Sequence, residues 1–284
     1  DVWLNKRNDL SFSVRFDGKV EETWTEQGLQ VSHQEYDEVE AVAYDMMISG
    51  ADSEAVSILR LWRARDIKHF DMDSFAQGDY NRAMTENTSA ELINKVLYPA
   101  DNHFEGKTLR LRQQYFLVSA TIQNITKEHF HEYGTLDNFS EKAAIHINDT
   151  HPALCIPELM RVFMDDYHYT WDDAFRMVKE SVTYTNHTVL SEALEKWPED
   201  MIRRQLPRIY MIIRELNERY SQELWNRYPG DWDKIERMSI LSHGQVRMAN
   251  LSIVGSSRVN GVSELHSNIL KDNVFADFNT DNPA

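Results

Sequence analysis

The chain has 284 residues, 46 of them acidic and 30 basic, for a formal net charge of −16; 42% are hydrophobic and 27% charged. That length supports a sizeable core in one large or two small domains. The acidic surplus argues against duplex DNA or an anionic membrane as partner, since each calls for a basic face.

The first sixty residues read as strands. Phe12, Val14 and Phe16 alternate with polar neighbours, Asp17-Gly18 makes a turn, and Val20 to Thr25 resumes the alternation. Extended runs at Glu38 to Tyr44 and Ser57 to Trp62 complete an antiparallel β extension over 1–65. The α/β and helical part is read over 66–284, the period turning helical after Asp71. A short helix over Ala90 to Leu97 is stopped by Tyr98-Pro99, and a long one over Leu109 to Ile125 is apolar enough around its circumference to be buried. Between them lies a polar, aromatic loop from Tyr98 to Lys107.

Ala143 to Ile147 reads as a strand. It ends in Asn148-Asp149-Thr150-His151 and is followed by an amphipathic helix with Ile156, Leu159, Met160 and Phe163 on one face. Val182 to Thr185 repeats the pattern, ending in Asn186-His187-Thr188, with a helix expected through Glu192 and Leu194. Strand, short loop, helix, twice over, is the grammar of a parallel α/β sheet. Ile209, Ile212, Ile213, Leu216, Tyr220 and Leu224 stripe a long helix that Tyr228-Pro229-Gly230 terminates. Shorter helices are predicted at Trp232 to Met238, Gly244 to Val254 and Val262 to Leu270.

In open α/β sheets, ligands bind beyond the carboxyl ends of the strands. The two turns after the predicted strands each offer an amide, a histidine and a hydroxyl, groups that suit a neutral polyhydroxyl ligand; the same residue types also cap helices. Gly106-Lys107-Thr108 is not a phosphate loop, because Asp101 stands where the first glycine is required. His146 and His151 have opposite strand parity, no His-Glu-x-x-His occurs, and no metal site is expected. The single cysteine, Cys155, sits in an apolar run and reads as a buried core thiol. No apolar run reaches the roughly 18 residues of a membrane span and no signal-peptide pattern is present, so the reading is cytoplasmic. The six Asn-x-Ser/Thr triplets are then chance matches.

Tyr98-Pro-Ala-Asp-Asn-His-Phe-Glu-Gly-Lys-Thr-Leu-Arg-Leu-Arg-Gln-Gln-Tyr-Phe, Asn148-Asp-Thr-His-Pro-Ala-Leu-Cys-Ile-Pro-Glu-Leu-Met-Arg and Tyr184-Thr-Asn-His-Thr-Val-Leu-Ser-Glu-Ala-Leu-Glu-Lys-Trp-Pro resemble three ordered blocks of the α-glucan phosphorylases. Val259-Asn-Gly-Val and Leu265-His-Ser extend the likeness toward the end of the chain. The resemblance implies part of the N-terminal Rossmann-like domain of a type-B glycosyltransferase fold, with the β extension at its start and a helix-rich C-terminal part. It implies reversible phosphorolysis of terminal α-1,4-glucosyl units by inorganic phosphate with retention, in a homodimer when full length. Pyridoxal phosphate would be held by a lysine outside these residues, in a C-terminal domain absent from them. The chain is thus expected to be a fragment, inactive alone.

By position, the resemblance assigns catalytic contacts with the glucosyl hydroxyls to His187 and Asn102, with Asn186 beside them. Asp101 and His103 fall in a mobile gate, and Asp149 and His151 line a pocket beside the sugar. His103-Phe104 replaces an aromatic pair of the vertebrate members. Neutral hydrogen-bond partners suit an oxocarbenium-like transition state whose compensating negative charge comes from phosphate. The reading from another class is a non-catalytic glucan-binding module using the long helix near Pro207 to Tyr228.

Overall fold

The computed structural model describes residues 3–26, 28–66, 76–78, 90–97 and 99–281. The fold is mixed α/β, and the chain divides into two compact units, 1–17 with 35–124 and 18–34 with 125–284.

In the first unit β1 (Asn5–Phe16), β4 (Asp37–Ser49) and β5 (Val56–Asp66) form an antiparallel sheet in the order β1-β4-β5. The alternation read from the sequence sets its faces. Phe12 and Val14 pair with Ala41 and Val39, Trp62 and Ala64 pair with Ala43 and Ala41, and all of them are buried. The helix α2 (Phe104–Tyr133) follows α1 (90–95) and starts in this unit. Tyr115 meets Phe16 edge-on at 5.8 Å, and Trp62 Nε1 donates to Thr121 Oγ1 at 3.1 Å. Buried side chains lie around most of α2, Leu111 and Ala120 on opposite faces with Tyr115, Phe116 and Ile122 between them, and Leu117 is the one exposed position between 108 and 126, as the sequence pattern leads one to expect. A buried charge is compensated here. Asp45 is 1% exposed, and its hydrogen bonds from Arg60, with Arg60's charge and Arg7 adding to them, hold its carboxyl below the ordinary range.

The second unit contains the hairpin β2 (Lys19–Thr25) and β3 (Gly28–Gln34). It also contains a parallel sheet in the order β11-β7-β6, built from β6 (Ile145–Asn148), β7 (Val182–Asn186) and β11 (Arg258–Gly261). The two strands expected from the sequence are β6 and β7, each ending in the turn residues read for it. The strand β11 carries no strand signal of its own in the sequence, because Arg-Val-Asn-Gly is short and has a single large apolar residue.

Ile147, Val182 and Tyr184 face one way and are fully buried. After β6 come α3's successor α4 (Cys155–Arg161) and a π-helical turn Val162–Asp166; α3 itself is Phe139–Lys142. The buried side chains of α4 include Ile156, Leu159 and Met160, and Gly255 leaves room for Ile156, whose side chain would lie 2.6 Å from a Cβ there. The long striped helix is observed as α7 (Pro207–Arg227), after α5 (Trp171–Ser181) and α6 (Glu199–Gln205), with Ile209, Ile212, Ile213, Leu216 and Leu224 buried as expected. Next come α8 (Trp232–Met238), α9 (Met248–Val254), α10 (Glu264–Ile269) and α11 (Ala276–Asp281).

Two expected helices are corrected. Around Glu192 and Leu194 there is only a 3₁₀ turn, Ser191–Ala193, and then the strand β8 (Lys196–Pro198). Trp197 pairs with Val246, so tertiary strand pairing overrides the local helical pattern. The start of the helix expected from Gly244 is instead β10 (Gln245–Arg247), which pairs with β9 (Leu241–Ser242). His243 and Gly244 both have positive φ, 50° and 69°, the two-residue primed turn of a tight hairpin.

Cys155 is buried as expected, and desolvation pushes its thiol up to about 12. Iodoacetamide at neutral pH should therefore leave the native thiol unmodified and alkylate it once the chain is unfolded in urea, read by intact mass.

Candidate functional site

Asp101, Asn102 and His103 belong to the first unit, and Asp149, His151, Asn186 and His187 to the second. Tyr98, at the head of the predicted gate, lies outside the described residues.

The gate residues are exposed, and α2 begins among them at Phe104, five residues before the sequence pattern suggested. The reason is an unusual cap: His103 Nδ1 accepts the Gly106 N–H at 2.9 Å, the place a Ser or Asp oxygen would take. Asp101 is held by Arg110 at 2.7 Å, one end of the loop tied to the helix that follows it. Asn102 is exposed. Gly106 is required sterically, since a Cβ there would lie 1.8 Å from the Ala100 carbonyl oxygen and 2.8 Å from the His103 ring. Gly106→Ala should force the loop off the helix start at a cost of about 1–3 kcal/mol. The readout is a lowered melting temperature together with faster proteolysis at residues 99–103.

In the second unit the parallel register builds a polar face. His146, Thr183 and Arg258 lie level across the sheet, and Asn148, Thr185 and Asn260 form the next row, on the side opposite Ile147 and Tyr184. The rows are hydrogen-bonded to each other. His146 Nε2 meets Thr185 Oγ1 at 2.6 Å, Thr183 Oγ1 lies 3.2 Å from His146 Nδ1, and Thr185 Oγ1 donates to Asn260 Oδ1 at 2.8 Å. Parallel sheets ordinarily bury apolar residues on both faces; here one face is apolar and the other carries imidazole, hydroxyl, amide and guanidinium groups.

The predicted site residues cluster where this face ends. Asp149 turns the chain out of β6 with φ 63°, a left-handed conformation uncommon outside glycine. Its N–H donates to Thr185 O at 2.9 Å and its Oδ1 accepts the Thr150 N–H at 2.7 Å, so the strained turn is stapled on both sides. His151 follows, exposed. Asn186 is fully buried, donating to Tyr184 Oη at 2.8 Å and accepting the Thr188 N–H at 2.8 Å. Burial pushes the Tyr184 phenol above its ordinary range, which keeps it a neutral partner. His187 is exposed, with Nε2 2.6 Å from Asn148 Oδ1.

The structure thus brings His187 to the Asn148-Asp149 turn, and gives Asn186 a supporting place beneath it. The Asn148 contact was not assigned from the sequence. Its signal was present, since parallel strands ending at the same level bring their last residues side by side, but the register was not fixed by the pattern alone. Elsewhere in the unit, Trp171, Tyr220, Ser256, Arg258, Lys271 and Phe278 help to line a cleft of about 600 Å³, and none of the predicted sugar contacts borders it. Among the described residues no cluster of three or more His, Cys, Asp or Glu side chains could hold a metal ion. No described helix is long and apolar enough to cross a membrane.

All of residues 1–284 match the profile of the family described as carbohydrate phosphorylase. The chain is 44% identical to a glycogen phosphorylase of Bacillus subtilis over 278 residues, covering 98% of this chain and 34% of that protein. It is 44% identical to glycogen phosphorylase 2 of Dictyostelium discoideum over 287 residues, 97% of this chain and 29% of the relative. The brain form of human glycogen phosphorylase is 42% identical over 292 residues, 97% of this chain and 34% of the relative. The chain therefore spans about a third of the length of the curated relatives it matches.

Proposed function

The chain belongs to the carbohydrate phosphorylase family, and from that premise we propose that it supplies one wall of the sugar-binding cleft of an α-glucan phosphorylase. The activity proposed for the longer protein is reversible phosphorolysis of terminal α-1,4-glucosyl units by inorganic phosphate, giving glucose 1-phosphate with retention. The observation that carries this reading is the turn cluster itself: His187, Asn148 and Asp149 meet at the carboxyl ends of adjacent parallel strands, where α/β sheets bind ligands. The fold proposed for the longer protein is the type-B glycosyltransferase arrangement, the present parallel sheet being part of its N-terminal Rossmann-like domain. A cytoplasmic homodimer is proposed on the same basis.

In this reading His187 contacts the glucosyl hydroxyls, and Asn102 makes a second contact from the gate, where Asp101 and His103 control entry. Asp149 and His151 border the sugar, while Asn186 holds the turn. Imidazole and amide groups fix the ring without placing a fixed counter-charge against an oxocarbenium-like centre, leaving that role to phosphate. Pyridoxal phosphate is proposed for the longer protein only, where it would supply a phosphate group able to relay a proton. The residues here do not fit its anchor. Every lysine among the described residues is exposed or partly exposed, whereas a Schiff-base lysine needs a desolvated setting.

A graft tests the reading. These 284 residues, replacing the matching third of the Bacillus subtilis relative, should restore glucose 1-phosphate release from maltoheptaose and phosphate, while the chain alone should release none. A graft that folds with the thermal stability of the parent and yet stays inactive would sink the proposal. A glucan-binding module without catalysis, using α7, predicts instead that the chain alone binds maltoheptaose as tightly as the graft does.

A further inference from the structure

We propose that Asn148 is a positioning residue for His187, fixing the imidazole with its Nε2–H toward the strand and its Nδ1 lone pair outward as a hydrogen-bond acceptor. The argument begins with the short contact between His187 Nε2 and Asn148 Oδ1, 2.6 Å. An amide oxygen only accepts, so the nitrogen facing it carries the proton. In the neutral ring the other nitrogen is then the acceptor, and among the described residues no hydrogen bond is made to His187 Nδ1.

Asn148 is well placed to hold that proton. It is the last residue of β6, level with Thr185 of β7, and His187 follows immediately after β7. The chain on either side is held in place. Asp149 is locked in its left-handed turn by Thr185 O and by its own side chain. Asn186, just before His187, is fully buried with both ends of its amide engaged. A histidine on an exposed turn would otherwise sample several rotamers, and ordering it on binding would weaken each hydrogen bond it makes. With the ring anchored at Nε2, the acceptor at Nδ1 is set before the ligand arrives, and its natural partner is a neutral hydroxyl. A group that needs a donor, such as a carboxylate or phosphate, meets a lone pair instead. This selectivity rests on the sugar-binding reading above; the ring orientation does not.

The experiment separates the two. In the 284-residue chain labelled with ¹⁵N-histidine, and with the His187 signals assigned by their loss in His187→Gln, long-range ¹⁵N–¹H correlation should show Nε2 protonated and Nδ1 bare. It should also show a hydrogen-bonded Nε2–H resonance. Asn148→Leu, a change at an exposed side chain, should lose that resonance to solvent exchange, whereas Asn148→Asp, which still accepts, should retain it. A protonated Nδ1 in the unaltered chain, or an Nε2–H signal indifferent to Asn148→Leu, overturns the proposal. In the Bacillus graft, Asn148→Leu should lower kcat/KM about 10- to 100-fold, the usual cost of losing an orienting partner, with Asn148→Asp recovering part of it. If His187→Ala is silent in the graft, the sugar-binding reading falls; if His187→Ala is damaging and Asn148→Leu is not, the positioning role falls.

Discussion

Arg208→Ala should destabilise the second unit by about 3–5 kcal/mol, the usual cost of stranding a buried charge's partner. Arg208 stands in the first turn of α7 and is 6% exposed. Its Nε and Nη2 donate side by side to the two oxygens of Asp165, each at 2.8 Å, and Nη1 reaches Glu22 on β2. Asp165 lies in the π-helical turn after α4 and its side chain is 14% exposed. Three segments far apart in sequence are therefore tied through one guanidinium. Removing the cation leaves Asp165 with little water and no counter-ion, and alanine also empties most of the volume. Arg208→Lys should recover only part of the loss, because an ammonium cannot make the paired contact to one carboxylate while reaching a second. Replacing both members of the buried pair, with Arg208→Met and Asp165→Leu together, should lose much less than Arg208→Ala. Urea denaturation of the four chains measures all of this. If Arg208→Ala unfolded within about 0.5 kcal/mol of the parent, the triad would be a surface pair of little worth.

None of that triad was legible in the sequence, and the reason is general. A stripe such as Ile209, Ile212, Ile213 and Leu216 announces its buried face through its own period, so α7 was found with its core side correct. Arg208 is adjacent to the stripe and reads as a solvated cation; only the arrival of Asp165 and Glu22 makes it interior. The same distinction runs through the fold. β1, with Phe12, Val14 and Phe16, and β6 and β7, with their β-branched runs and turn residues, carry their own signals. β8, β9 and β10 are two or three residues each and exist because Val246 pairs with Trp197 on one side and with Leu241 on the other. The segment around Glu192 was read as a helix for lack of any local sign of that pairing. In the site, residue types pointed to the turns after β6 and β7, while the resemblance pointed to roles. The caps and contacts that settle what each side chain touches, His103 on Gly106 and Asn148 on His187, depend on geometry that spacing does not encode.

His187→Ala, made in the Bacillus graft, should lower kcat/KM for maltoheptaose phosphorolysis by about 2–4 kcal/mol, the worth of a preorganised donor or acceptor whose contact tightens in the transition state. Stability should change by no more than about 0.5 kcal/mol, the range of surface substitutions, because the ring is exposed and its partner Asn148 is an exposed residue that water can satisfy. That separation is what marks a binding role. A histidine kept for packing would lose melting temperature and activity together, as Gly106→Ala should at the gate. The division between kinetic constants adds a second check. A contact formed equally with bound sugar and transition state raises KM alone, while one realised only as the ring flattens lowers kcat. An acceptor that meets a glucosyl hydroxyl in the bound sugar and tightens on it as the ring flattens acts in both states, so both constants should shift, with kcat carrying the larger part. Asn102→Ala, at a residue that is also exposed, should behave the same way. Should His187→Ala keep the parent's kcat and KM in a folded graft, the turns after β6 and β7 would have to be read as helix-capping structure, and the sugar contacts sought elsewhere.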